Sequence, residues 1–203
     1  MGSYIEEFQG THEKESDVVV TIDGPSGAGK GTAAEQIGEI LNLPVYSAGD
    51  FFRNIAEEKG MTVEELSEKA EKKIDLEVDR RTLKKGLNKS CVIESRIAGR
   101  VLGDFSDLKI YITANRDERA IRSFEDIKEG KREDERQVNA LDEAKEKIRK
   151  RDQDNDKRYR EYYGIDMSNL EIYDMLIDNT EMSLKEQREE LEKILRKELP
   201  EEF

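Results

Sequence analysis

The 203-residue chain has one cysteine, one histidine and three prolines, and it lacks tryptophan. A single cysteine excludes an intramolecular disulfide framework, and the apolar run around Cys91 indicates a buried structural thiol rather than a nucleophile. The only histidine, His12, lies in a segment without apolar periodicity, which argues against a catalytic role. No apolar run of about 18 residues and no signal-peptide pattern occurs. We therefore expect a cytoplasmic protein that contacts no membrane.

Basic residues are outnumbered by acidic ones, 35 against 48, which gives a formal net charge of −13. This balance argues against a nucleic-acid partner, because binding to a phosphate backbone requires a basic surface. Charged residues make up 41% of the chain and the hydrophobic set 35%, so one economical core is expected. We expect a flexible acidic tail over residues 1–17, a single domain over residues 18–203, and a monomer.

Short β-branched runs alternate with charged, helix-favouring stretches along the chain. The first run, residues 18–22, is bounded by turn residues, which predicts a strand buried on both faces. Apolar residues at helical spacing then predict a helix over Lys30–Leu41. Further strand candidates are residues 45–46, 91–93, 109–113 and 174–177. The alternation predicts a three-layer α/β fold, with a five-stranded parallel sheet and helices on both faces.

A glycine-rich segment follows the first predicted strand and opens the predicted helix. Glycines let the backbone wrap around phosphate oxygens, the helix N-terminus adds partial positive charge, and Lys30 can reach the terminal phosphates. A turn without a ligand would leave Lys30 unexplained. The segment therefore predicts a P-loop that binds ATP. Its residues are Gly24, Pro25, Ser26, Gly27, Ala28, Gly29, Lys30, Gly31 and Thr32.

The residue after the P-loop lysine is glycine, where the general motif has a serine or threonine that ligates magnesium. The sequence GKGT at residues 29–32 instead resembles nucleoside monophosphate kinases, which hold the metal mostly through phosphates and water. Residues 47–53, SAGDFFR, resemble the entrance to the monophosphate-binding helices of adenylate and cytidylate kinases. Residues 60–81 and the segment ESRIAGR at 94–100 look like the archaeal branch of cytidylate kinases.

The resemblance spans about residues 18–190 and implies a P-loop kinase fold. It implies that the γ-phosphoryl group of ATP passes to CMP or dCMP in the presence of Mg²⁺. It also implies a helical, acceptor-binding flap near residues 49–88 and a lid near residues 128–158. Lid arginines would stabilise charge during transfer and exclude water.

Roles for individual side chains follow from the same resemblance. Arg53 and Arg96 would bind the acceptor phosphate, for which a planar guanidinium is suited, and Glu94 would lie near hydrated Mg²⁺. Asp75 and Asp79 would lie near the acceptor base, although acids at a helix start also serve as dipole partners. The remaining candidates are Asp50 and Arg158 for the acceptor, and Arg119, Arg122 and Arg151 for catalysis.

Two other functions remain open at this point. A kinase of the same fold that accepts AMP or UMP would share the P-loop and Arg53 and differ in its base contacts. A nucleotide-sensing P-loop module would bind ATP without multiple turnover on any monophosphate; the acidic surface favours it, but no docking motif does.

Overall fold

The computed structural model of the chain describes residues 13–62, 65–66, 72–130, 138 and 140–203. Five strands form one parallel sheet in the order β2-β3-β1-β4-β5. The strands are β1 (Val19–Asp23), β2 (Val45–Ser47), β3 (Cys91–Glu94), β4 (Leu108–Thr113) and β5 (Met175–Asp178). The predicted five-stranded parallel sheet is confirmed, and each predicted strand overlaps an observed one.

The described residues form seven α-helices, six between strands and one after β5. They are α1 (Lys30–Leu41), α2 (Ala48–Glu58), α3 (Lys72–Asn88), α4 (Ala98–Leu102), α5 (Arg116–Lys128), α6 (Leu141–Tyr163) and α7 (Leu184–Glu198). Short 3-10 helices follow α4 at Gly103–Phe105 and α7 at Pro200–Glu202. Helix α1 has the predicted bounds.

The central strand β1 divides the core into two layers because its side chains alternate between the faces of the sheet. Val20 and Ile22 pack on one face with residues of α1 and α7, among them Ile37 and Leu191. Val19 packs on the other face in a cluster to which α3, α4 and α6 contribute. All five residues of β1 are buried. The chain is therefore a three-layer α/β fold, as predicted.

Two smaller clusters lie outside this central core: one within the predicted flap, and one that joins the predicted lid to the helix before it. Helices α2 and α3 pack around Phe51, Ile55 and Val78. Helices α5 and α6 pack around Ala120 and Ile148. Closure of either unit stays a prediction.

The predicted tail is described only from residue 13. Backbone amides of Glu15 and Ser16 donate to the carbonyl of Leu87, 2.8 and 3.0 Å away. Residues 1–12, including His12, lie outside the described residues, as do parts of the predicted flap (63–64 and 67–71) and lid (131–137 and 139). Within the described ranges, no helix has both the length and the apolar character needed to cross a bilayer.

Candidate active site

The P-loop wraps between the end of β1 and the start of α1, and its shape depends on glycine. Gly24, Gly27 and Gly29 have φ angles of 152°, 78° and 81°, a region that side chains disfavour. A Cβ on Gly24 would lie 2.1 Å from the carbonyl oxygen of Ile112. The backbone therefore passes so close to β4 that a side chain does not fit.

The start of α1 presents its first amide groups at the open side of this loop. Gly29 is the N-cap of α1 and supplies no side-chain hydrogen bond to it, so the orphan amides of this helix end suit an anion. Lys30 is the first residue of the helix, and its Nζ donates to the carbonyl oxygen of Pro25, 2.9 Å away. The ammonium group therefore lies across the loop, and its predicted contact with the terminal phosphates stays a prediction.

One hydrogen bond links the P-loop to the second cluster of predicted site residues. Arg96 follows β3, and its Nη2 donates to Ser26 Oγ over 3.0 Å. The carboxyl ends of parallel strands share one edge of a sheet, so β1 and β3 deliver both residues to the same place. The positive charge of Arg96 also opposes the rise in the Asp75 pKa.

Asp75 of α3 and Arg158 of α6 form the centre of this second cluster. Arg158 Nε lies 3.4 Å from Asp75 Oδ2. Both atoms are buried, and neither has a hydrogen-bond partner among the described residues. Arg158 Nη2 also donates to Asn155 Oδ1 over 3.1 Å. Buried polar atoms normally have partners, so this cluster has the character of a ligand site.

Asp79 lies one helical turn from Asp75 and is almost completely buried. Tyr163 Oη donates to Asp79 Oδ2. Burial raises the pKa of Asp79 to about 7; the Tyr163 hydrogen bond opposes the rise, and the charge of Asp75 adds to it. Burial likewise raises the pKa of Asp75, against the charges of Arg158 and Arg96. The structure therefore brings together four predicted acceptor residues: Asp75, Asp79, Arg96 and Arg158.

Asp50 and Arg53 of α2 do not join that cluster in this conformation. Arg53 Nη2 donates to Asp50 Oδ1 over 2.5 Å, and the two side chains are 55% and 56% exposed. Among the described residues, no hydrogen bond or ion pair connects Arg53 to Asp75, Arg96 or Arg158. Their acceptor-binding roles stay predictions.

Glu94, the predicted magnesium residue, ends β3 and accepts a hydrogen bond from Ser47 Oγ over 2.6 Å. Ser47 Oγ in turn accepts a hydrogen bond from the Gly49 amide. Ser47 is therefore the N-cap of α2. Within the described ranges, no group of three or more His, Cys, Asp or Glu side chains could hold a metal. The role of Glu94 beside hydrated Mg²⁺ stays a prediction.

The three predicted catalytic arginines of the lid have different surroundings. Arg119 is 6% exposed; it donates to both carboxylate oxygens of Asp152 over 3.2 and 2.8 Å and to the Ser26 carbonyl over 3.0 Å. Arg122 donates to Glu118 and to Asn179. Arg151 is half-buried on α6, next to Asp152. The structure thus places Arg119 and Arg122 beside the P-loop, and the role of Arg151 stays a prediction.

Asp23 and Tyr173 are among the site residues that had no predicted role from the sequence. Asp23 is completely buried and accepts from Tyr173 Oη over 2.8 Å and from the Gly99 amide over 3.0 Å. Burial raises the pKa of Asp23 to about 7, opposed by these hydrogen bonds and by the charge of Lys30. Asp23 lies directly before Gly24, so its position at the start of the P-loop could have indicated a place in the site. Tyr173, which lies 150 residues further along the chain, gave none.

The parallel sheet, the P-loop after β1 and the arginine-rich cluster beside it define a P-loop kinase. The chain belongs to the cytidylate kinase-like family, whose profile matches residues 19–181. This confirms the resemblance drawn from the P-loop and the ESRIAGR segment.

Curated relatives named cytidylate kinase come from several archaea. The protein of Staphylothermus marinus is 36% identical over 185 residues, which cover 88% of this chain and 99% of that one. The protein of Pyrococcus horikoshii is 38% identical over 168 residues, 82% of each chain. The protein of Haloarcula marismortui is 36% identical over 164 residues, 79% of this chain and 80% of that one.

Solved structures share the fold at low sequence identity. An uncharacterized protein from Eubacterium ventriosum has a TM-score of 0.65 and 19% identity, covering 88% of this chain and 98% of that one. Shikimate kinase from Bacteroides thetaiotaomicron has a TM-score of 0.56 and 16% identity, covering 90% and 98%. These similarities support the fold alone.

Proposed function

We propose that this protein transfers the γ-phosphoryl group of ATP to CMP or dCMP, forming ADP and CDP or dCDP. The observation that carries the proposal is the hydrogen bond from Arg96 to Ser26, 3.0 Å long. This bond joins the triphosphate-binding loop to a cluster of buried and half-buried acids and arginines. Two phosphate groups bound on either side of it would therefore be close enough for direct transfer.

The donor side is formed by backbone amides and one ammonium group. The glycine-rich turn and the start of α1 direct N–H groups at the phosphates, and Lys30 would exchange its bond to Pro25 for phosphate oxygens. Mg²⁺, when bound to the triphosphate near Glu94, would neutralise charge on its terminal phosphates. These groups hold the donor in place and withdraw charge from the γ-phosphorus.

The acceptor side would hold a nucleotide by both its phosphate and its base. Arg96 and Arg158 supply positive charge for the phosphate. A carboxylate at Asp75 or Asp79 can accept a hydrogen bond from the amino group of cytosine. The strongest support for such a contact is the buried Oδ2 of Asp75, which accepts no hydrogen bond among the described residues and has only the ion pair with Arg158 Nε at 3.4 Å; UMP has no amino group to offer it.

The transfer needs no general base from the protein. An oxygen of the acceptor phosphate, already anionic at neutral pH, forms a bond to the γ-phosphorus. The bond between that phosphorus and the β,γ-bridging oxygen breaks, and ADP leaves with the electron pair. Arginines beside the P-loop stabilise the charge that develops on the transferred group.

Because donor and acceptor clusters lie in one chain, we propose that a monomer is sufficient. The single buried cysteine supports a cytoplasmic setting.

A panel of monophosphates tests this function. ADP release from ATP would be followed by a coupled assay with CMP, dCMP, UMP and AMP as acceptors, using the parent and Lys30→Ala. We expect multiple turnover that is fastest with CMP or dCMP, and a loss of about 10²–10³-fold in kcat for Lys30→Ala. Lys185→Ala, which removes an exposed lysine paired with Glu189, should keep the parent rate. Faster turnover of AMP or UMP, or ATP binding without turnover, would overturn the proposal.

A further inference from the structure

Asn179 follows β5, is 2% exposed, and has every polar atom of its side chain hydrogen-bonded. Its Nδ2 donates to the carbonyl oxygen of Ala28 over 3.0 Å and to Gln187 Oε1 over 2.7 Å. Its Oδ1 accepts from Arg122 Nη1 over 2.9 Å. A carbonyl oxygen can only accept and a guanidinium can only donate, so this network fixes the orientation of the amide.

The bond to Ala28 sets the direction of an amide in the P-loop. In a trans peptide the carbonyl and the following N–H point in opposite directions. Because Asn179 holds the Ala28 carbonyl from outside the loop, the N–H of Gly29 points away from Asn179. The preceding part of the loop has the same arrangement, since Arg119 Nη1 donates to the Ser26 carbonyl over 3.0 Å. Two P-loop peptides are therefore held in orientation by buried side chains.

Asn179 also holds Arg122 beside the same peptide. A Cβ built on Gly29 would lie 3.4 Å from Asn179 Nδ2 and 3.9 Å from Arg122 Nη1, so both groups border the phosphate-binding loop. Arg122 Nη2 donates in addition to the backbone carbonyl of Asn179 over 2.9 Å. One residue after β5 thus fixes both a P-loop amide and a neighbouring positive charge.

We propose that Asn179 is a positioning residue for the triphosphate donor: it orients the Gly29 amide and the Arg122 guanidinium toward the phosphates. The proposal rests on the proposed function only in taking ATP as the donor. It predicts that loss of the carboxamide weakens binding of ATP and ADP. Binding of the acceptor should be unaffected, because the side-chain hydrogen bonds of Asn179 are with Ala28, Arg122 and Gln187 and not with the Asp75–Arg158 cluster.

The alternative is that Asn179 only anchors α7 to the rest of the fold. The hydrogen-bonded series of side-chain amides continues from Gln187 of α7, away from the P-loop, to Gln36 of α1. Gln187 Nε2 donates to Gln36 Oε1 over 3.0 Å, and Gln36 Nε2 donates to the Leu184 carbonyl over 3.0 Å. Gln36→Ala breaks this anchor and leaves the bond between Asn179 and Ala28 in place. It is therefore a matched control for a purely structural role.

Calorimetric titration of ATP and ADP, without acceptor, would be carried out on the parent, Asn179→Ala and Gln36→Ala. The temperature would lie well below each melting transition. We expect Asn179→Ala to raise both dissociation constants about 10-fold, the effect of losing a directed hydrogen bond. The KM for ATP should rise in parallel while the KM for CMP stays unchanged. Gln36→Ala should lower the melting temperature and keep the parent affinity to within about twofold.

An unchanged ATP affinity in Asn179→Ala, or an equal loss in Gln36→Ala, would overturn the proposal. If Asn179→Ala does not fold, Asn179→Ser replaces it; its hydroxyl is one bond too short to reach the Ala28 carbonyl, and the same loss of ATP affinity is expected. If the parent binds ATP but does not phosphorylate CMP, the proposed function fails. The comparison of ATP affinities still decides the role of Asn179.

Discussion

Asp23 gives the unfolding free energy a pH dependence that a single substitution should remove. The carboxyl group is completely buried, and burial raises its pKa from an ordinary value of 3.8 to about 7. Between these two values the folded protein binds more protons at this site than the unfolded chain does. The stabilising contribution is therefore fully present below about pH 3.8 and is lost as the pH rises through about 7.

The size of this effect follows from the shift. A difference between 3.8 and about 7 corresponds to about 4 kcal/mol, at about 1.36 kcal/mol per pKa unit. Relaxation of the structure around the ionised carboxylate lowers its cost, so this free-energy difference is an upper limit. Asn is close in shape to the protonated carboxyl group, so the unfolding free energy of Asp23→Asn should exceed that of the parent by about 1.6 kcal/mol already at pH 5, because the unfolded carboxyl group ionises above about pH 3.8. Near pH 8.5 the variant should be the more stable protein, by up to about 4 kcal/mol.

Urea unfolding of both proteins at half-unit steps from pH 5 to 8.5 measures the difference. Asp178→Asn is the control: Asp178 is exposed, and its hydrogen bonds from Thr180 lower its pKa, so it is ionised in both states over this range. This control should follow the slope of the parent, to which Asp79 also contributes. Parallel profiles for the parent and Asp23→Asn would refute the reasoning.

Two further predictions concern the acceptor and the metal. Arg158→Met removes a half-buried positive charge beside Asp75 and should raise the KM for CMP about 10-fold or more; an equal rise in the KM for ATP would contradict the assignment. Glu94→Gln keeps the shape of the partner of Ser47 and removes its charge. It should therefore raise the Mg²⁺ concentration needed for half-maximal rate at fixed ATP, and an unchanged magnesium titration would rule out a role for the Glu94 charge.

The P-loop could be predicted from the sequence because its features are contiguous. A buried β-branched strand, a glycine-rich turn and a helix start follow one another within residues 18–41, and the structure has them in that order. The central strand β1 is buried on both faces, so its apolar run is continuous and easy to recognise. The edge strands β2 and β5 were also predicted from the sequence, but their observed ends differ by one residue from the predicted ends.

Contacts between distant segments could not be predicted in the same way. Asn179 reaches Ala28 across 151 residues, because β4 lies between β1 and β5 in the sheet and all three end at the same edge. That order is a property of the folded sheet and leaves no periodic signal in the sequence. Arg53 illustrates a different limit: its spacing from Asp50 allows an exposed ion pair within α2, and residue type alone does not show whether a ligand replaces it.

Transfer of label from [γ-³²P]ATP to CMP tests the central claim most directly. Products would be separated by chromatography after reaction with the parent and with Lys30→Ala. The account predicts that the parent places the label in CDP, in step with ADP formation, and that the variant does so about 10²–10³-fold more slowly. Label released only as inorganic phosphate, or CDP formed equally fast by both proteins, would contradict it.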